Sequence, residues 1–102
     1  MVIYALSSGP GIAGVAVIRI SGFGTSKVVE KLTSKPLPPP RIATLRKINK
    51  IKTSELIDEG LILWFPGPES YTGEDMAEIQ VHGSKAVVDA LHSSLSDIEN
   101  CR

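Results

Sequence analysis

The sequence predicts an α+β fold in which two helices cover a mixed or antiparallel sheet. The strand-like segments come in two groups, each closed by a helical pattern, in the order strand-strand-helix-strand-strand-strand-helix. This order lacks the regular strand–helix alternation of a doubly wound parallel sheet. Residues 77–82 also alternate between apolar and polar side chains, as a strand does when one of its faces covers a core.

Length and composition restrict the class of protein. A chain of 102 residues has room for one domain with one hydrophobic core. Its 11 basic and 11 acidic residues cancel, so no overall field attracts nucleic acid or a membrane. The single cysteine, Cys101, cannot form an internal disulfide or a thiolate zinc site. No apolar run approaches the roughly 20 residues of a membrane span and no signal peptide opens the chain, so a cytoplasmic protein without a membrane partner is expected.

The first predicted strand is followed by a glycine-rich loop at residues 8–14. Gly9, Gly11 and Gly14 match the pattern G-x-G-x-x-G of dinucleotide-binding loops. That pattern requires a helix directly after it, whereas residues 15–21 are a β-branched run that predicts a strand. We therefore interpret the segment as a turn-forming loop between strands.

A short first helix is predicted that ends at about Thr33, with Thr25 or Ser26 as its N-cap. Its inward-facing residues are Val28, Val29 and Leu32. The proline-rich residues 35–40 that follow cannot form a helix or a central strand, and they predict an extended connector.

Residues 41–52 contain five basic residues and no acidic residue. We favour the solvent-facing side and turn of a β-hairpin, because the apolar residues of this segment form no helical stripe. The alternative is an RNA-contacting patch, although no aromatic side chain is interleaved there for base stacking.

The second half of the chain predicts further strands and a final helix. Residues 61–65 form an apolar run that ends at a proline and predicts a strand, with residues 53–58 leading into it. A polar loop, residues 69–75, separates this run from the alternating strand at 77–82. Ser84 is a good N-cap for the last helix. The inward stripe of that helix is Val87, Val88, Leu91, Leu95 and Ile98.

Two predicted strands carry a charged residue among apolar ones. Arg19 lies in the middle of a strand among apolar neighbours, and Glu78 lies on the polar face of the alternating strand with Gln80 and His82. Such a strand can cover a core with one face and line a pocket with the other. For Arg19 by itself we favour a structural role, as an ion-pair partner or as a residue that reaches the edge of the sheet, because guanidinium groups are more often structural than ligand-binding. His82 is expected to form a hydrogen bond at the entry to the last helix.

Five motifs occur in order along the chain. They are residues 14–22 (GVAVIRISG), 57–60 (IDEG), 64–68 (WFPGP), 71–75 (YTGED) and 78–83 (EIQVHG). Together with the glycine-rich loop they resemble the N-terminal domain of the tRNA-modification GTPase family MnmE, also called TrmE, over nearly the whole chain. The chain departs from the family pattern at Ile12, where a basic residue is usual. The family also continues beyond these motifs with a P-G-E-F segment and a lysine that joins the folate site.

The resemblance implies a fold and a ligand. The family domain is similar to the folate-binding domain of the glycine-cleavage T protein, forms a homodimer, and binds formyl-tetrahydrofolate or a related one-carbon folate. The positions that match Arg19 and Glu78 contact the folate in the family, so these two are the expected cofactor-binding residues. The structural alternative is a plain ion pair between them, since structural networks hold such pairs as well. We predict no catalytic residue and no metal ligand in this chain.

The resemblance also implies a larger protein. Residues 1–102 would be a single N-terminal domain, with the helical and GTPase domains elsewhere in a longer chain. Full-length family members act with a flavin-dependent partner of the MnmG or GidA type on the wobble uridine of tRNA. GTP, magnesium and potassium belong to the GTPase domain. Because residues 1–102 contain no G-x-x-x-x-G-K-[ST] loop, we expect no GTP hydrolysis from this chain by itself.

Two other functions compete with this one. The first is a small stand-alone RNA-binding domain that uses residues 41–52. The second is an aminomethyltransferase-like enzyme, which is disfavoured because the chain is too short for a two-lobed folate-binding arrangement unless a dimer rebuilds it.

Overall fold

Five strands and two helices follow one another in the order that the sequence predicts. The computed structural model describes residues 1–7, 14–70, 72–98 and 101–102. Its elements are β1 (Val2–Leu6), β2 (Val15–Gly22), α1 (Thr25–Thr33), β3 (Thr44–Asn49), β4 (Leu56–Phe65), β5 (Met76–His82) and α2 (Lys85–Ser96). The α+β class is thereby confirmed. The predicted glycine-rich loop falls mostly on residues 8–13, outside the described residues, but the strand predicted after it is present as β2.

The strands form one sheet in the spatial order β1-β2-β5-β4-β3, and all neighbouring strands are antiparallel. The sheet is therefore antiparallel rather than mixed. β5, the last strand along the chain, lies at the centre between β2 and β4. β3 and β4 form the hairpin predicted from the basic segment. An antiparallel sheet commonly packs one face on the core and leaves the other in contact with water.

One face of the sheet carries the hydrophobic core and both helices. Ile18 of β2, Ile79 of β5 and Ile62 of β4 lie side by side across the three central strands and are fully buried. Leu32 of α1 and Leu91 of α2 belong to the same buried cluster. Each such side chain contributes about 1.5–3 kcal/mol when it leaves water, so this layer fixes which face the other residues of each strand occupy.

The helices bury the residues that their periodicity predicts, with differences in extent. α1 buries all three residues of its predicted stripe. α2 fully buries Leu91 and Leu95 and partly buries Val87 and Val88, whereas Ile98, also partly buried, lies beyond the end of the helix. Ser84 caps α2 as predicted, since its side chain accepts a hydrogen bond from the N–H of Val87 at 3.2 Å. Neither helix in the described part of the chain is long and apolar enough to cross a bilayer.

The N-cap predicted for α1 is wrong. The cap is Gly24, with a φ of 105°, and not Thr25 or Ser26. A glycine adopts this backbone conformation readily, which lets the chain turn sharply from β2 into α1. Thr25 is drawn into the first turn of the helix, where its Oγ1 donates a hydrogen bond to the carbonyl oxygen of Gly22 at 2.8 Å.

β4 begins earlier than predicted, at Leu56 instead of at the apolar run. The additional residues at the start of β4 pair with β3. The prediction missed them because Asp58 and Glu59 lack the apolar pattern of a strand. Gly60 permits the close approach of β5, because a Cβ at this position would lie 2.2 Å from the carbonyl oxygen of Gln80. A larger residue at position 60 would therefore fit only if β4 and β5 moved apart.

The last two residues extend the sheet at its β1 edge. Cys101 forms a parallel bridge with Val2. The N–H of Arg102 donates to the carbonyl oxygen of Val2 at 2.8 Å, and the N–H of Tyr4 donates to the carbonyl oxygen of Arg102 at 2.6 Å. Burial raises the pKa of the Cys101 thiol, which favours its unreactive protonated form.

Candidate functional site

The second face of the sheet is covered by neither helix, and we call it the open face. Because side chains alternate between the two faces along a strand, the neighbours of the buried isoleucines point towards it. Met76 of β5 lies on this face and is buried. Other large apolar residues there include Ile3, Val15, Val17, Leu45, Leu61, Leu63 and Phe65. Each of them is at least partly exposed. A surface with this many apolar side chains is typical of a region that contacts a ligand or another protein.

Arg19 and Glu78, the two predicted site residues, meet on the open face. They are register partners on β2 and β5, and the Arg19 Nε lies 3.1 Å from Oε1 of Glu78. The side chain of Glu78 is 17% exposed and that of Arg19 is 46% exposed. The β5 strand thus holds the carboxylate in a shielded position, while the guanidinium reaches towards solvent.

Gln80 provides a second hydrogen bond to the same carboxylate. Its Nε2 donates to Oε2 of Glu78 at 3.1 Å, so each oxygen of Glu78 accepts a bond from a different side chain. The sequence prediction did not include Gln80 among the site residues. The signal that could have found it is the spacing of two residues, which places Glu78 and Gln80 on the same face of β5.

A cavity of about 330 Å³ opens beside this cluster. It is lined by Arg19, Phe65, Glu69, Ser70, Met76 and Glu78. Met76 is buried and Phe65 is partly buried, so they form an apolar side opposite the two charged groups. This volume falls at the small end of the range for pockets that hold small molecules.

The loop between β4 and β5 forms one wall of the cavity and is attached to the rest of the domain at several points. Asp75 accepts a hydrogen bond on Oδ1 from the N–H of Gly67 at 2.9 Å, and its carbonyl oxygen accepts one from the N–H of Gly22 at 3.0 Å. The guanidinium of Arg41 donates to the carbonyl oxygen of Glu69. These bonds hold the wall close to the ends of β2 and β5. Tyr71, within the predicted loop, lies outside the described residues.

Asp58 and His82 form a second polar cluster, at the other end of β5. The carboxylate of Asp58 accepts a hydrogen bond from the N–H of His82 at 2.9 Å, and Nδ1 of the ring lies 2.9 Å from Oδ2. Burial by itself would raise the pKa of Asp58, but the hydrogen bonds from His82 outweigh it and leave this pKa below the usual 3.8. His82 forms these hydrogen bonds two residues before Ser84, the N-cap of α2, and their partner is Asp58 of β4, which the sequence did not identify.

The basic segment interacts with nearby carboxylates. Lys50 pairs with Glu55 at 3.8 Å and Lys52 pairs with Asp97 at 3.7 Å, beside a cavity of about 210 Å³ between the hairpin and α2. Part of the positive charge of the segment is thus balanced locally, as expected of the solvent-facing side of a hairpin. Within the described ranges, no three His, Cys, Asp or Glu residues are grouped so that they could hold a metal ion.

Related proteins cover nearly the whole chain. A protein from Pelagibacter ubique (strain HTCC1062) named tRNA modification GTPase MnmE is 72% identical over 102 residues, which are 100% of this chain and 23% of the relative. A protein of the same name from Sinorhizobium medicae is 52% identical over 98% of the chain and 22% of its own length. The mitochondrial 5-taurinomethyluridine-[tRNA] synthase subunit GTPB3 of Danio rerio is 49% identical over 98% of the chain and 20% of its own length.

The chain thus spans less than a quarter of the length of these relatives. The family described as GTP-binding protein TrmE N-terminus matches residues 2–102. The motifs around Arg19 and Glu78 lie within this matched region. The chain therefore belongs to the TrmE N-terminal family, the family of the N-terminal domain of the tRNA modification GTPase MnmE.

Proposed function

We propose that this chain is the folate-binding and dimerisation module of a tRNA-modification GTPase. The observation that carries the proposal is the position of Glu78 and Arg19, side by side at the wall of a cavity on the open face. The ligand is formyl-tetrahydrofolate or a related one-carbon folate. The expectation comes from the family resemblance, and the geometry of the cavity supports it independently.

The chemistry of a pterin ring fits the groups in the cavity. The ring presents an N–H and an exocyclic NH₂ side by side, and an ionised carboxylate such as Glu78 can accept hydrogen bonds from both. Each carboxylate oxygen accepts more than one hydrogen bond, so the bonds from Arg19 and Gln80 do not exhaust this capacity. Phe65 and Met76 offer an apolar surface to the flat face of the ring.

Arg19 has a different role in this proposal. Its guanidinium carries N–H donors in a fixed planar arrangement, which suits the carbonyl or carboxylate oxygens of the same ligand. Arg19 also places a positive charge beside the carboxylate of Glu78. The structural alternative is an ion pair without ligand, in which Arg19 and Glu78 serve only to join β2 to β5.

A second copy of the chain is the proposed partner of this domain. The open face carries at least partly exposed apolar side chains on four of its five strands, and a twofold dimer is the commonest way for such a surface to be covered. The family resemblance implies the same homodimer. Since the cavity lies on this face, a partner copy would also reduce the access of water to the ligand.

The remaining parts of the proposal concern the full-length protein. Its relatives are named tRNA modification GTPases and a subunit of a 5-taurinomethyluridine-[tRNA] synthase. We propose that the full-length protein hydrolyses GTP in a separate domain and acts in the cytoplasm with a flavoprotein of the MnmG type on the wobble uridine of tRNA. In this assembly the chain described here would supply the one-carbon folate.

Calorimetric titration with formyl-tetrahydrofolate tests the proposed ligand. It is performed on the 102-residue chain and, in parallel, on the full-length product of the natural reading frame. We expect binding that changes little between low and moderate salt, because the ligand enters a partly desolvated cavity. The competing function, RNA binding through residues 41–52, predicts binding of single-stranded RNA that weakens steeply with salt. Salt-sensitive RNA binding without folate binding by either form would overturn the proposal.

A further inference from the structure

Gln80 lies on the open face of β5 between Glu78 and His82, and its amide forms a hydrogen bond with Glu78. Its register partners are Val17 on β2 and Leu61 on β4, and neither side chain can form a hydrogen bond with it. Its Nε2 instead donates along the strand to Oε2 of Glu78 at 3.1 Å. A polar side chain between two apolar ones is thus directed at the carboxylate of the site.

Glu78 needs this second donor for a defined orientation. Its register partner on β2 is Arg19, which donates to Oε1, but its partner on β4 is Leu63, which offers no hydrogen bond. The terminal torsion of a glutamate side chain is broad, so a single hydrogen bond leaves the plane of the carboxylate poorly defined. Bonds to both oxygens restrict this rotation.

We infer that Gln80 is a positioning residue of the ligand site, which fixes the carboxylate of Glu78 in the orientation that receives a pair of adjacent N–H donors. The inference rests on the proposed folate-binding function and deepens it. Gln80 does not line the cavity beside Glu78, so it acts on the ligand through Glu78. A preorganised acceptor loses less conformational entropy when the ligand binds, so the ligand binds more tightly.

Two substitutions test this role in the full-length protein, with formyl-tetrahydrofolate as the probe. Gln80→Met keeps the length of the side chain and removes the donor, and its apolar neighbours Val17 and Leu61 tolerate the change. We expect the affinity to fall about two- to tenfold, the effect of one lost hydrogen bond, with the melting temperature nearly unchanged. Glu30→Gln, on the exposed side of α1, is the control and should leave the affinity unaltered.

The pH dependence of folate binding by Gln80→Glu is a second test, because a purely structural role of Gln80 would not change it. This substitution places a second carboxylate beside Glu78, and two carboxylates at this distance favour a state that holds one proton between them. The protonated member can donate to Glu78 as the amide does. We therefore expect binding by Gln80→Glu to be weak at pH 8 and to recover by about tenfold towards pH 6, relative to the unaltered protein at each pH.

The pH dependence of folate binding also reflects the other charged groups around Glu78. Arg19 faces it from β2, Glu69 from the loop above the cavity, and His82 lies further along the same face of β5. The substitution alters none of them, and the side chain facing Glu78 from β4 carries no charge. The ratio of the affinity of Gln80→Glu to that of the unaltered protein at each pH therefore reports the effect of the new carboxylate alone.

The outcomes distinguish the positioning role of Gln80 from the folate-binding function itself. Weaker binding by Gln80→Met together with recovery of Gln80→Glu at low pH supports the positioning role. Normal folate binding by both variants at every pH would overturn the role of Gln80 and leave the folate site intact. Absence of folate binding by the unaltered protein would overturn both proposals. If Gln80→Glu does not fold, the result with Gln80→Met decides between the first two outcomes.

Discussion

Arg19 and Glu78 are 59 residues apart in the sequence and directly opposite each other in the sheet, with Nε and Oε1 separated by 3.1 Å. The carboxylate is mostly shielded, but the guanidinium is about half exposed. Water can therefore solvate Arg19 when the contact is broken, and pairs with an exposed partner contribute little to stability. In the proposed folate site, we therefore expect the loss of this carboxylate to affect ligand binding more than folding.

The first prediction is that Glu78→Gln weakens folate binding much more than it lowers stability. The amide has nearly the same size but replaces one acceptor with a donor that faces the pterin NH₂. Loss of a charge-assisted hydrogen bond of this kind costs about 1.5–3 kcal/mol, or roughly ten- to a hundredfold in affinity. Calorimetry with formyl-tetrahydrofolate and the melting temperature are measured on the same sample.

Glu30→Gln on α1 is the matched control, because it makes the same chemical change at an exposed position outside the site. It should alter neither measurement. An unchanged affinity of Glu78→Gln together with a clearly lowered melting temperature would instead assign Arg19 and Glu78 to a structural ion pair.

Periodicity was sufficient to predict most of the fold. The alternation in β5 separated the core face from the polar face, because a one-residue shift would have placed Ile79 in water and Glu78 in the core. The helical stripes likewise identified the inward faces of α1 and α2. The start of β4 was missed because Asp58 and Glu59 lack the apolar pattern of a strand, although their backbone pairs with β3.

The details of the site depend on contacts that periodicity does not encode. Which strands are neighbours is set by the packing of the whole sheet, so the pairing of Arg19 with Glu78 had to be inferred from the family resemblance. The sequence could not place Glu69 at the wall of the cavity, since the path of the loop depends on hydrogen bonds to Asp75 and from Arg41. The contact between Asp58 and His82 likewise joins residues that are 24 positions apart in the chain.

The second prediction concerns the acid stability that Asp58 provides. Its pKa is lower in the folded protein than the usual 3.8, so its ionised form stabilises the fold. This contribution is fully present above the unfolded-state pKa and is lost as the pH falls through the lower folded-state value. Asp58→Asn should therefore melt at a lower temperature than the unaltered protein at pH 5, and the difference should shrink as the pH approaches 3.

Asp89→Asn is the control for this series. Asp89 pairs with Lys85 on the exposed surface of α2, where an ion pair contributes little, so its replacement should change the melting temperature only slightly at either pH. If the melting temperature of Asp58→Asn stays below that of the unaltered protein by the same amount down to pH 3, the ionised carboxylate is not the cause of the difference.

The third prediction is that Gly60→Ala is strongly destabilising. The new Cβ would lie 2.2 Å from the carbonyl oxygen of Gln80, and a backbone atom cannot move aside as a flexible side chain can. We expect a loss of about 1–3 kcal/mol in the free energy of unfolding, measured with urea. Gly14→Ala is the control, because a Cβ at Gly14 has no atom within 4 Å. Equal stability of the two variants would contradict the close approach of β4 and β5.

The last prediction is that the chain self-associates through the open face. Val15 lies on this face and is 52% exposed, so a lysine there can be solvated in the monomer. In a dimer that covers the face, the same lysine would be buried without a partner, which is costly. We expect the unaltered chain to sediment as a dimer at about 50 µM, and Val15→Lys to weaken the association by roughly tenfold or more.

Ile42→Lys separates this effect from a general change in charge. Ile42 is 57% exposed, similar to Val15, but it precedes β3 and is not part of a strand. The same substitution there adds the same charge without placing it on the open face, so the dimer should persist. Dissociation by both variants to the same degree would mean that net charge governs the association. A dimer that survives Val15→Lys would place the interface on another surface, and the cavity beside Glu78 would then remain open to solvent in the assembly.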